Sequence, residues 1–260
     1  MSRGNDPFFQ VPRTRCHTSE GEVDLPIAYY DTDELLAVFA VDPAPVRAAL
    51  ADVPLELVTV GGRAHVGLVF FEYRDTSIGP YNEVGLGTLV LPKGQRTPAL
   101  GPLDILRHPR KRRLGLHVLK LPVTTAAANA AGRELWGYPK FVTPIDVDLG
   151  DKRFVGRVRD PKDPRETIVK LAGALPHAIP MPRVELMLLS QLEHTLLRAV
   201  VTVRGKHFGG LGGGLVLSVG TSAHPMAAQL RAFGLDRAKP ELAIYTRGAR
   251  SLLYSGSPVT

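Results

Sequence analysis

The stretch GRELWGYPKF, residues 132–141, ends an alanine-rich helix abruptly and delivers one lysine, Lys140, between the aromatic residues Tyr138 and Phe141. Pro139 removes a backbone donor and fixes its own φ, so the turn after the helix is stiff. Burial disfavours a charged ammonium, so a lysine held in such surroundings has a reason to be neutral and nucleophilic. The alternative is that Lys140 lies along the aromatic rings and keeps its ammonium in water.

Local signals place the helices and strands on either side of this stretch. Asp42 before Pro43 predicts one helix start, and Thr124 or Thr125 predicts the start of the alanine-rich helix that leads to Leu135. The other apolar runs are short, and turn residues join many of them as hairpins. Strands are predicted at 35–41, 55–60, 63–74, 82–91, 114–120, 141–149, 152–159, 167–171, 184–190, 196–203, 215–219, 241–245 and 251–254, and a further helix at 225–233.

Short strands therefore outnumber helices, and the strand–helix alternation of a doubly wound sheet is absent. The pattern predicts an α+β fold that is mainly antiparallel β, with sheets curled around a core and a few peripheral helices. We expect a loosely structured N-terminal arm at 1–22 and a single domain at 23–260. Residues 92–113 begin with prolines and end with basic residues, and they predict a long excursion from that domain.

The formal net charge of +7 raises the question of a nucleic-acid partner. Five of these positive charges lie within residues 107–113, and without them the net charge is close to neutral. No helix-turn-helix, zinc-finger spacing or stacked-aromatic pattern accompanies the basic run. We therefore expect no nucleic-acid partner, and interpret the run as a solvated loop or a subunit contact.

The remaining composition is typical of a cytoplasmic enzyme or binding protein. Cys16 is the single cysteine and cannot form an internal disulfide. No signal-peptide pattern opens the sequence, and no uninterrupted apolar run reaches the length of a membrane span. The histidines show neither an H-E-x-x-H motif nor a cysteine–histidine cluster, so we expect no metal site.

Glu72 is a carboxylate on a strand that reads as apolar on both faces. Period-two alternation places it on one face with Val66, Leu68 and Phe70. A lone buried charge is expensive, so Glu72 needs a partner or a task. An ion pair with a nearby arginine and a catalytic role both satisfy this requirement, and the residues leave the two open.

Glu83 lies at the start of the next strand, where Gly85 and Gly87 share its face. Two glycines in front of a carboxylate predict an open space of the kind a pocket requires. The alternative is that the glycines accommodate the curvature of the sheet and that Glu83 faces water.

Two other stretches resemble functional motifs but depart from their residue patterns. The glycine-rich stretch at 209–214 lacks the G-x-G-x-x-G spacing and is interpreted as a flexible hairpin loop. The stretch GTSAH, residues 220–224, has His224 where a nucleophile elbow has its last glycine, and no later histidine follows to serve as the base. Neither motif is assigned a function.

With the motif at 132–140, the chain resembles the acetoacetate decarboxylase family, in which a G-R-E-L helix end runs into Y-P-K. The resemblance extends to a phenylalanine–glutamate strand, a D-T-S turn and a Y-x-E pattern. It also includes a leucine–histidine pair before the motif helix and the early helix with its following strand. It covers about the whole domain and is most specific between Leu68 and Lys140. The matching segments are 41–42, 54–56, 71–72, 75–77, 81–83 and 116–117.

This resemblance implies a cone-like antiparallel β-barrel with flanking helices, assembled as a homo-oligomer. It implies that Lys140 is the nucleophile that forms a Schiff base, and that Glu72 and Glu83 are the carboxylates of the pocket. Tyr81 is expected to assist Glu83 and to contact the substrate, and Tyr138 to form part of the pocket wall.

The chain departs from the family pattern at two positions. The family has a second lysine directly after the nucleophile, and this chain has Phe141. The family also has a substrate-holding arginine before the first core strand, at a position that corresponds to about Thr32 here. Recognition of a small β-keto acid therefore needs other residues in this chain.

The resemblance implies a cofactor-independent lyase that acts on a small keto acid or ketone, with decarboxylation of an acetoacetate-like β-keto acid as the expected reaction. Because the same imine serves aldol-type chemistry, a Schiff-base aldolase–dehydratase or retro-aldolase is the alternative. A small-molecule binding protein without turnover is a second alternative.

Overall fold

A computed structural model describes residues 6–98, 101–177 and 179–259 of the chain. The described residues form three α-helices, α1 (Pro43–Ala48), α2 (Ala126–Trp136) and α3 (Pro225–Ala232). The strands are β1 (Thr14–Thr18), β2 (Gly21–Leu25), β3 (Ile27–Val41), β4 (Leu55–Leu57), β5 (Thr59–Val60), β6 (Arg63–Thr76), β7 (Tyr81–Pro92), β8 (Gly115–Val123), β9 (Lys140–Val142), β10 (Ile145–Leu149), β11 (Arg153–Arg159), β12 (Thr167–Ala174), β13 (Ile179–Met181), β14 (Leu186–Leu192), β15 (Thr195–Arg204), β16 (His207–Leu211), β17 (Val216–Val219), β18 (Leu242–Leu253) and β19 (Ser257–Pro258).

Seven of these strands close a barrel. Strands β18, β3, β6, β7, β8, β14 and β15 are hydrogen-bonded in that order, and β15 pairs again with β18. Neighbouring strands of the barrel are antiparallel except β8 and β14. The predicted fold, a mainly antiparallel β-barrel with few helices, is confirmed.

A second sheet covers part of the outer face of the barrel. It has the order β10–β11–β12–β17 and shares one hydrophobic core with β3, β6, β7 and α3. Phe70 of β6 meets Phe154 of β11 edge to face, with ring centroids 5.3 Å apart. A methyl group on Gly156 would lie 2.5 Å from the Phe70 ring, so only glycine fits there. This packing fixes the outer face of β6 and leaves its other face to the barrel interior.

Helix α2 and the interior-facing side chains of the barrel form a second core. The Thr125 side chain accepts a hydrogen bond from the Ala128 amide and caps the start of the helix, as predicted. Gly137 ends the helix at φ 69°, in the left-handed region. A methyl group there would lie 2.0 Å from the Gln191 carbonyl oxygen, so the close approach to β14 also requires glycine.

Two stretches differ from the expected loops. Within and just after the expected N-terminal arm, β1 pairs with β2 as an antiparallel hairpin, and Gly21 at the turn has a φ of 113°, which glycine adopts most readily. Gly209 and Gly210 belong to β16 and pair with β18 instead of forming a flexible loop. A methyl group on Gly209 would lie 2.5 Å from the Ala243 carbonyl oxygen, so glycine here permits a close approach of two strands.

The excursion is more ordered than a solvated loop. It includes short 3-10 helices at Gly101–Leu106 and Pro109–Lys111. The buried Asp104 carboxylate accepts hydrogen bonds from the amides of Arg113 and Leu114. The buried Arg112 guanidinium donates to the carbonyl oxygens of Arg107 and Glu185. Part of the basic run therefore holds the loop against the barrel. Among the helices described, none has both the length and the apolar character needed to cross a membrane.

Candidate active site

Lys140 is the first residue of β9, which lies parallel to β8 with Lys140 beside Leu121. Its side chain points into the barrel and is only 7% exposed. The Lys140 Nζ lies 2.6 Å from Glu83 Oε2. A buried lysine–glutamate pair adds little to the stability of the folded protein, because the desolvation of both groups offsets their electrostatic attraction. The pair is therefore a candidate for chemistry.

Gly132 makes room for the lysine side chain. A methyl group at this position of α2 would lie 2.3 Å from Lys140 Cε and 2.5 Å from Cδ. The glycine that opens the GRELWGYPKF stretch thus has a physical reason to be there. The helix surface facing the barrel must be bare at the point where the lysine passes.

The residues next to Lys140 fix its backbone. Arg133 Nη1 donates a hydrogen bond to the Lys140 carbonyl oxygen at 3.1 Å. Phe141 alternates to the other face of β9, where its ring lies against His224 at 4.5 Å. The residue that replaces the family's second lysine therefore packs against the outer core and away from the Lys140 amine.

Glu83 reaches the amine from β7. It is opposite Phe71 of β6 and Val123 of β8, so these three side chains share the interior face. It is 7% exposed, which excludes the alternative in which Glu83 faces water. The prediction that Gly85 and Gly87 leave an open space in front of Glu83 is wrong. A methyl group on Gly85 would contact Val69 at 3.1 Å, and one on Gly87 would lie 2.9 Å from the His117 carbonyl oxygen, so these glycines allow close strand contacts.

Three tyrosines surround the lysine–glutamate pair. Lys140 Nζ lies 5.8 Å from the centroid of the Tyr81 ring. The Tyr81 and Tyr29 hydroxyls are 3.4 Å apart, and the Tyr73 ring lies within 4.7 Å of both rings. Burial and the charge of Glu83 raise the pKa of each of these phenols above its ordinary value. All three therefore remain protonated at neutral pH and serve as hydrogen-bond donors.

Tyr138 adds a hydroxyl that is free for a ligand. Its ring stacks on Trp136 with centroids 5.9 Å apart, and Trp136 Nε1 donates to the Tyr254 carbonyl oxygen. The Tyr138 side chain is buried, and its hydroxyl has no hydrogen-bond partner among the described residues. Burial, then the neighbouring Tyr29 and Glu83, raise its pKa. An unpartnered buried hydroxyl is a natural contact for a substrate.

Glu72 does not lie near the Lys140 amine. It lies on the other face of β6 from Phe71 and Tyr73, and its register partner is Asn82 rather than Glu83. Its carboxylate is partly exposed and lies 3.3 Å from Arg74 Nη1. Arg74 also binds Asp31 and Asp33 on β3. The structure thus shows the ion pair that was one of the two interpretations of this residue.

The site therefore combines Lys140, Glu83, Tyr81 and Tyr138, four of the five predicted residues. Sequence reasoning missed Tyr29 and Tyr73. The hairpin register offered a signal for Tyr73, because it is directly opposite Tyr81. No local signal places Tyr29, which reaches the site through the long-range pairing of β3 with β6 and β18.

The arrangement suits covalent chemistry of an amine. Glu83 is positioned to accept a proton from the lysine ammonium, and the phenols can donate hydrogen bonds to an oxygen of a bound ligand. Within the described parts of the chain, no three histidine, cysteine, aspartate or glutamate side chains are grouped so that they could hold a metal ion.

The chain matches the model of one known protein family. The acetoacetate decarboxylase family model matches residues 12–208. No curated protein sequence matches the chain significantly.

Solved structures resemble the fold over nearly the whole chain. An acetoacetate decarboxylase from Legionella pneumophila subsp. pneumophila str. Philadelphia 1 shares 16% identity over 98% of this chain and 94% of that chain, with a TM-score of 0.67. The enduracididine biosynthesis enzyme MppR, solved with pyruvate, shares 14% identity over 92% of both chains, with a TM-score of 0.63. An acetoacetate decarboxylase-like enzyme from Sphingomonas wittichii RW1 shares 14% identity over 92% of this chain and 94% of that chain, with a TM-score of 0.59.

At these identities the solved structures show the fold alone, whereas the family model matches most of the sequence, including the GRELWGYPKF stretch and strand β7, which carries Glu83 and Tyr81. The chain belongs to the acetoacetate decarboxylase family.

Proposed function

We propose that this protein is a cofactor-independent lyase in which Lys140 forms a Schiff base with a keto substrate, and that its reaction is the decarboxylation of an acetoacetate-like β-keto acid. The observation that carries the proposal is the 2.6 Å contact between the buried Lys140 Nζ and Glu83 Oε2 inside a tyrosine-lined barrel. Membership of the family supports it.

Formation of the imine needs a neutral amine. In this proposal the Lys140 ammonium transfers a proton to Glu83, and Nζ attacks the ketone carbon of the substrate. The resulting carbinolamine takes the proton back from Glu83 on its hydroxyl and loses water. The product of these steps is a protonated imine between Nζ and the former ketone carbon.

Decarboxylation then uses the imine as the acceptor of electrons. The bond between the α-carbon and the carboxylate breaks, CO2 leaves, and the electron pair forms an enamine conjugated to Nζ. A proton added to the α-carbon regenerates the protonated imine. Water then hydrolyses the imine, releasing the ketone and the Lys140 amine. Glu83 is a carboxylate again once the carbinolamine has lost water, so the proton for the α-carbon comes from a water molecule, and the hydroxide that this leaves attacks the imine carbon in the hydrolysis. Glu83 is the residue placed to relay protons between water and the reacting atoms at Nζ.

The tyrosines position the substrate in this scheme. Tyr138 offers a buried hydroxyl without a partner, and Tyr81 lies against the amine. Their raised pKa values keep both phenols protonated, so each can donate a hydrogen bond to the substrate. We assign Glu72 a role in holding Arg74 at the end of the sheet and no contact with the substrate.

A Schiff-base aldolase–dehydratase or retro-aldolase is the alternative, because the same imine serves aldol-type chemistry. Thr32, at about the position of the family's substrate-holding arginine, is buried beside Tyr73 and supplies no positive charge, so it does not favour a β-keto acid over another keto substrate. MppR has been solved with pyruvate and with a condensation product of pyruvate, which shows that this fold accommodates such ligands. A binding protein without turnover is the remaining alternative.

Product analysis tests the proposal. Acetoacetate incubated with the protein should release CO2 and acetone, and Lys140→Gln should abolish the release. Lys120→Gln is the matched control, because Lys120 precedes Leu121 on β8 and alternates to the other face of the strand. No release by the wild-type protein, together with a new carbon–carbon bond between pyruvate and an aldehyde, would replace decarboxylation by aldol-type chemistry. Homo-oligomeric assembly and a cytoplasmic location stay predictions.

A further inference from the structure

The barrel wall carries a second carboxylate on the same interior face as Glu83. Glu34 of β3 is opposite Phe71 of β6, and Phe71 is opposite Glu83 of β7. Residues in register on adjacent strands point to the same side of a sheet. Neighbouring strands are about 4.8 Å apart, so the backbones at Glu34 and Glu83 are roughly 10 Å apart. Phe71 lies between the two carboxylates.

Glu34 belongs to a hydrogen-bonded cluster that the proposed reaction does not use. In the other direction from Phe71, Glu34 is opposite Thr246 of β18, and Thr246 is opposite His207 of β16. Thr246 Oγ1 lies 2.6 Å from His207 Nδ1, and His207 Nδ1 lies 3.7 Å from Glu34 Oε1. The Thr246 hydroxyl favours the ionised form of Glu34 and so lowers its pKa, against the larger effect of burial.

Two buried polar atoms near this cluster have no partner among the described residues. They are Thr32 Oγ1 and His207 Nε2. Thr32 is two residues before Glu34 on β3, and it is 2% exposed and in register with Tyr73. Leaving a buried polar atom without a hydrogen bond costs free energy, so such atoms mark places where a ligand can supply the missing partner.

The electrostatics link this cluster to the candidate active site. The charges of Glu83 and Glu34 both raise the pKa of Tyr73, after the larger effect of burial. Burial raises the pKa of Glu34 itself to about 7. Burial and the exposed Arg183 lower the pKa of His207, so its ring is neutral at pH 7. The cluster therefore offers hydrogen-bond acceptors and no positive charge of its own.

The interior face is thus polar at both ends and apolar between them. At one end Lys140 and Glu83 meet, and in the middle the Phe71 ring stacks on Tyr73 with centroids 5.1 Å apart. At the other end are Glu34, Thr246 and Thr32. The ionised form of Glu34 would repel a second carboxylate on the substrate, whereas a hydroxyl or an amine could donate a hydrogen bond to a carboxyl oxygen of either form.

We propose that Glu34, with Thr246 and Thr32, forms a second subsite that selects ketones bearing a hydrogen-bond donor at the end of a short hydrocarbon chain. The inference rests on the proposed function for its orientation, because it assumes that the carbonyl group is at Lys140. Glu34 determines specificity in this proposal and takes no part in the bond-breaking steps.

The first experiment compares two ketones of equal size by reductive trapping with borohydride. Acetopropyl alcohol has a terminal hydroxyl where methyl butyl ketone has a methyl group. Below saturation, the wild-type protein should trap the alcohol about tenfold faster, the discrimination that one neutral hydrogen bond provides. Glu34→Leu should bring the two rates to equality, and Glu34→Gln should retain part of the preference. Glu56→Gln, on the exposed face of β4, is the control.

A rate ratio is insensitive to a general loss of folding or of amine reactivity, since both ketones react at the same residue. Trapping of both ketones at equal rates by the wild-type protein would overturn the inference while leaving the Schiff base intact. So would a preference that Glu34→Leu does not change.

The second experiment separates the subsite from the covalent chemistry. Ligand-observed NMR would measure the affinity of the same two compounds for Lys140→Ala protein and for Lys140→Ala combined with Glu34→Leu. The subsite predicts tighter binding of the alcohol to the first protein and no difference for the second. If the alcohol binds Lys140→Ala protein more tightly but the wild-type protein traps neither ketone, the Schiff base is refuted and the subsite is not. Equal binding of both compounds to Lys140→Ala protein would refute the subsite.

Discussion

Gly132 of helix α2 and Lys140 of strand β9 lie so close that a methyl group on the glycine would be 2.3 Å from Lys140 Cε. The GRELWGYPKF stretch is thus a single spatial unit. The turn at Gly137 brings the chain back over the helix, and the bare helix surface at Gly132 admits the lysine that follows. Sequence spacing and side-chain size together set the position of the amine.

Substitution Gly132→Ala tests this relationship. The added methyl group must displace the flexible end of the Lys140 side chain from Glu83, and a misplacement of about 1 Å costs on the order of a hundredfold in rate. Folding should survive, because alanine favours a helix interior over glycine by about 1 kcal/mol. Steady-state kinetics and thermal unfolding measure the two effects. An active variant with unchanged turnover would show that Gly132 does not set the position of the amine.

Glu83→Gln should lower turnover by about 10² to 10⁴, the usual contribution of a positioned proton-transfer group. Glutamine keeps the size of the side chain and removes its ability to accept a proton. Glu72→Gln should have a far smaller effect, because Glu72 pairs with Arg74 on the other face of β6. Equal losses in the two variants, measured as kcat with acetoacetate, would contradict the assignment of Glu83.

Tyr138→Phe should lower activity without lowering stability. The Tyr138 hydroxyl is buried without a partner among the described residues, so its removal should leave the free energy of unfolding unchanged or raise it by about 1 kcal/mol. If the hydroxyl binds substrate, kcat/KM should fall by about tenfold. Chemical denaturation measures the free energy of unfolding, and initial rates measure kcat/KM. A variant that is less stable and fully active would mean that the hydroxyl has a structural partner instead.

The partly buried Glu34 should make stability depend on pH. Its pKa is raised by burial from 4.5 to about 7, so the folded protein binds this proton more tightly than the unfolded chain does. That contribution to stability is complete below the unfolded pKa of 4.5 and is lost as the pH rises through about 7. Relative to Glu34→Gln, the wild-type protein should lose about 3 kcal/mol of unfolding free energy across this window.

Urea denaturation between about pH 4 and pH 8 would measure this difference. The exposed Glu56→Gln variant should follow the wild-type profile at every pH. Parallel profiles for the wild-type protein and Glu34→Gln would contradict the assignment.

Much of the barrel could be predicted from local sequence. The hairpin of β6 and β7 follows from alternation and turn residues, and it brings Tyr81 and Glu83 to one face. The caps at Asp42 and Thr125 were also predictable, because their side chains satisfy the first helix amides.

The features that the sequence does not predict depend on contacts between segments that are distant along the chain. Nothing local shows that Gly87 meets the backbone of His117, or that Gly209 meets that of Ala243. Tyr29 and Glu34 reach the interior through pairing of β3 with β18, which closes the barrel from the far end of the chain. Tertiary register of this kind is not encoded in the periodicity of either strand alone.

Reductive trapping of the wild-type protein with acetoacetate or pyruvate and borohydride, followed by peptide mass mapping, tests whether Lys140 forms a Schiff base. We expect a single adduct on Lys140, retained in Lys120→Gln and absent from Lys140→Gln. An adduct on a different lysine, or no adduct with either keto acid, would contradict it.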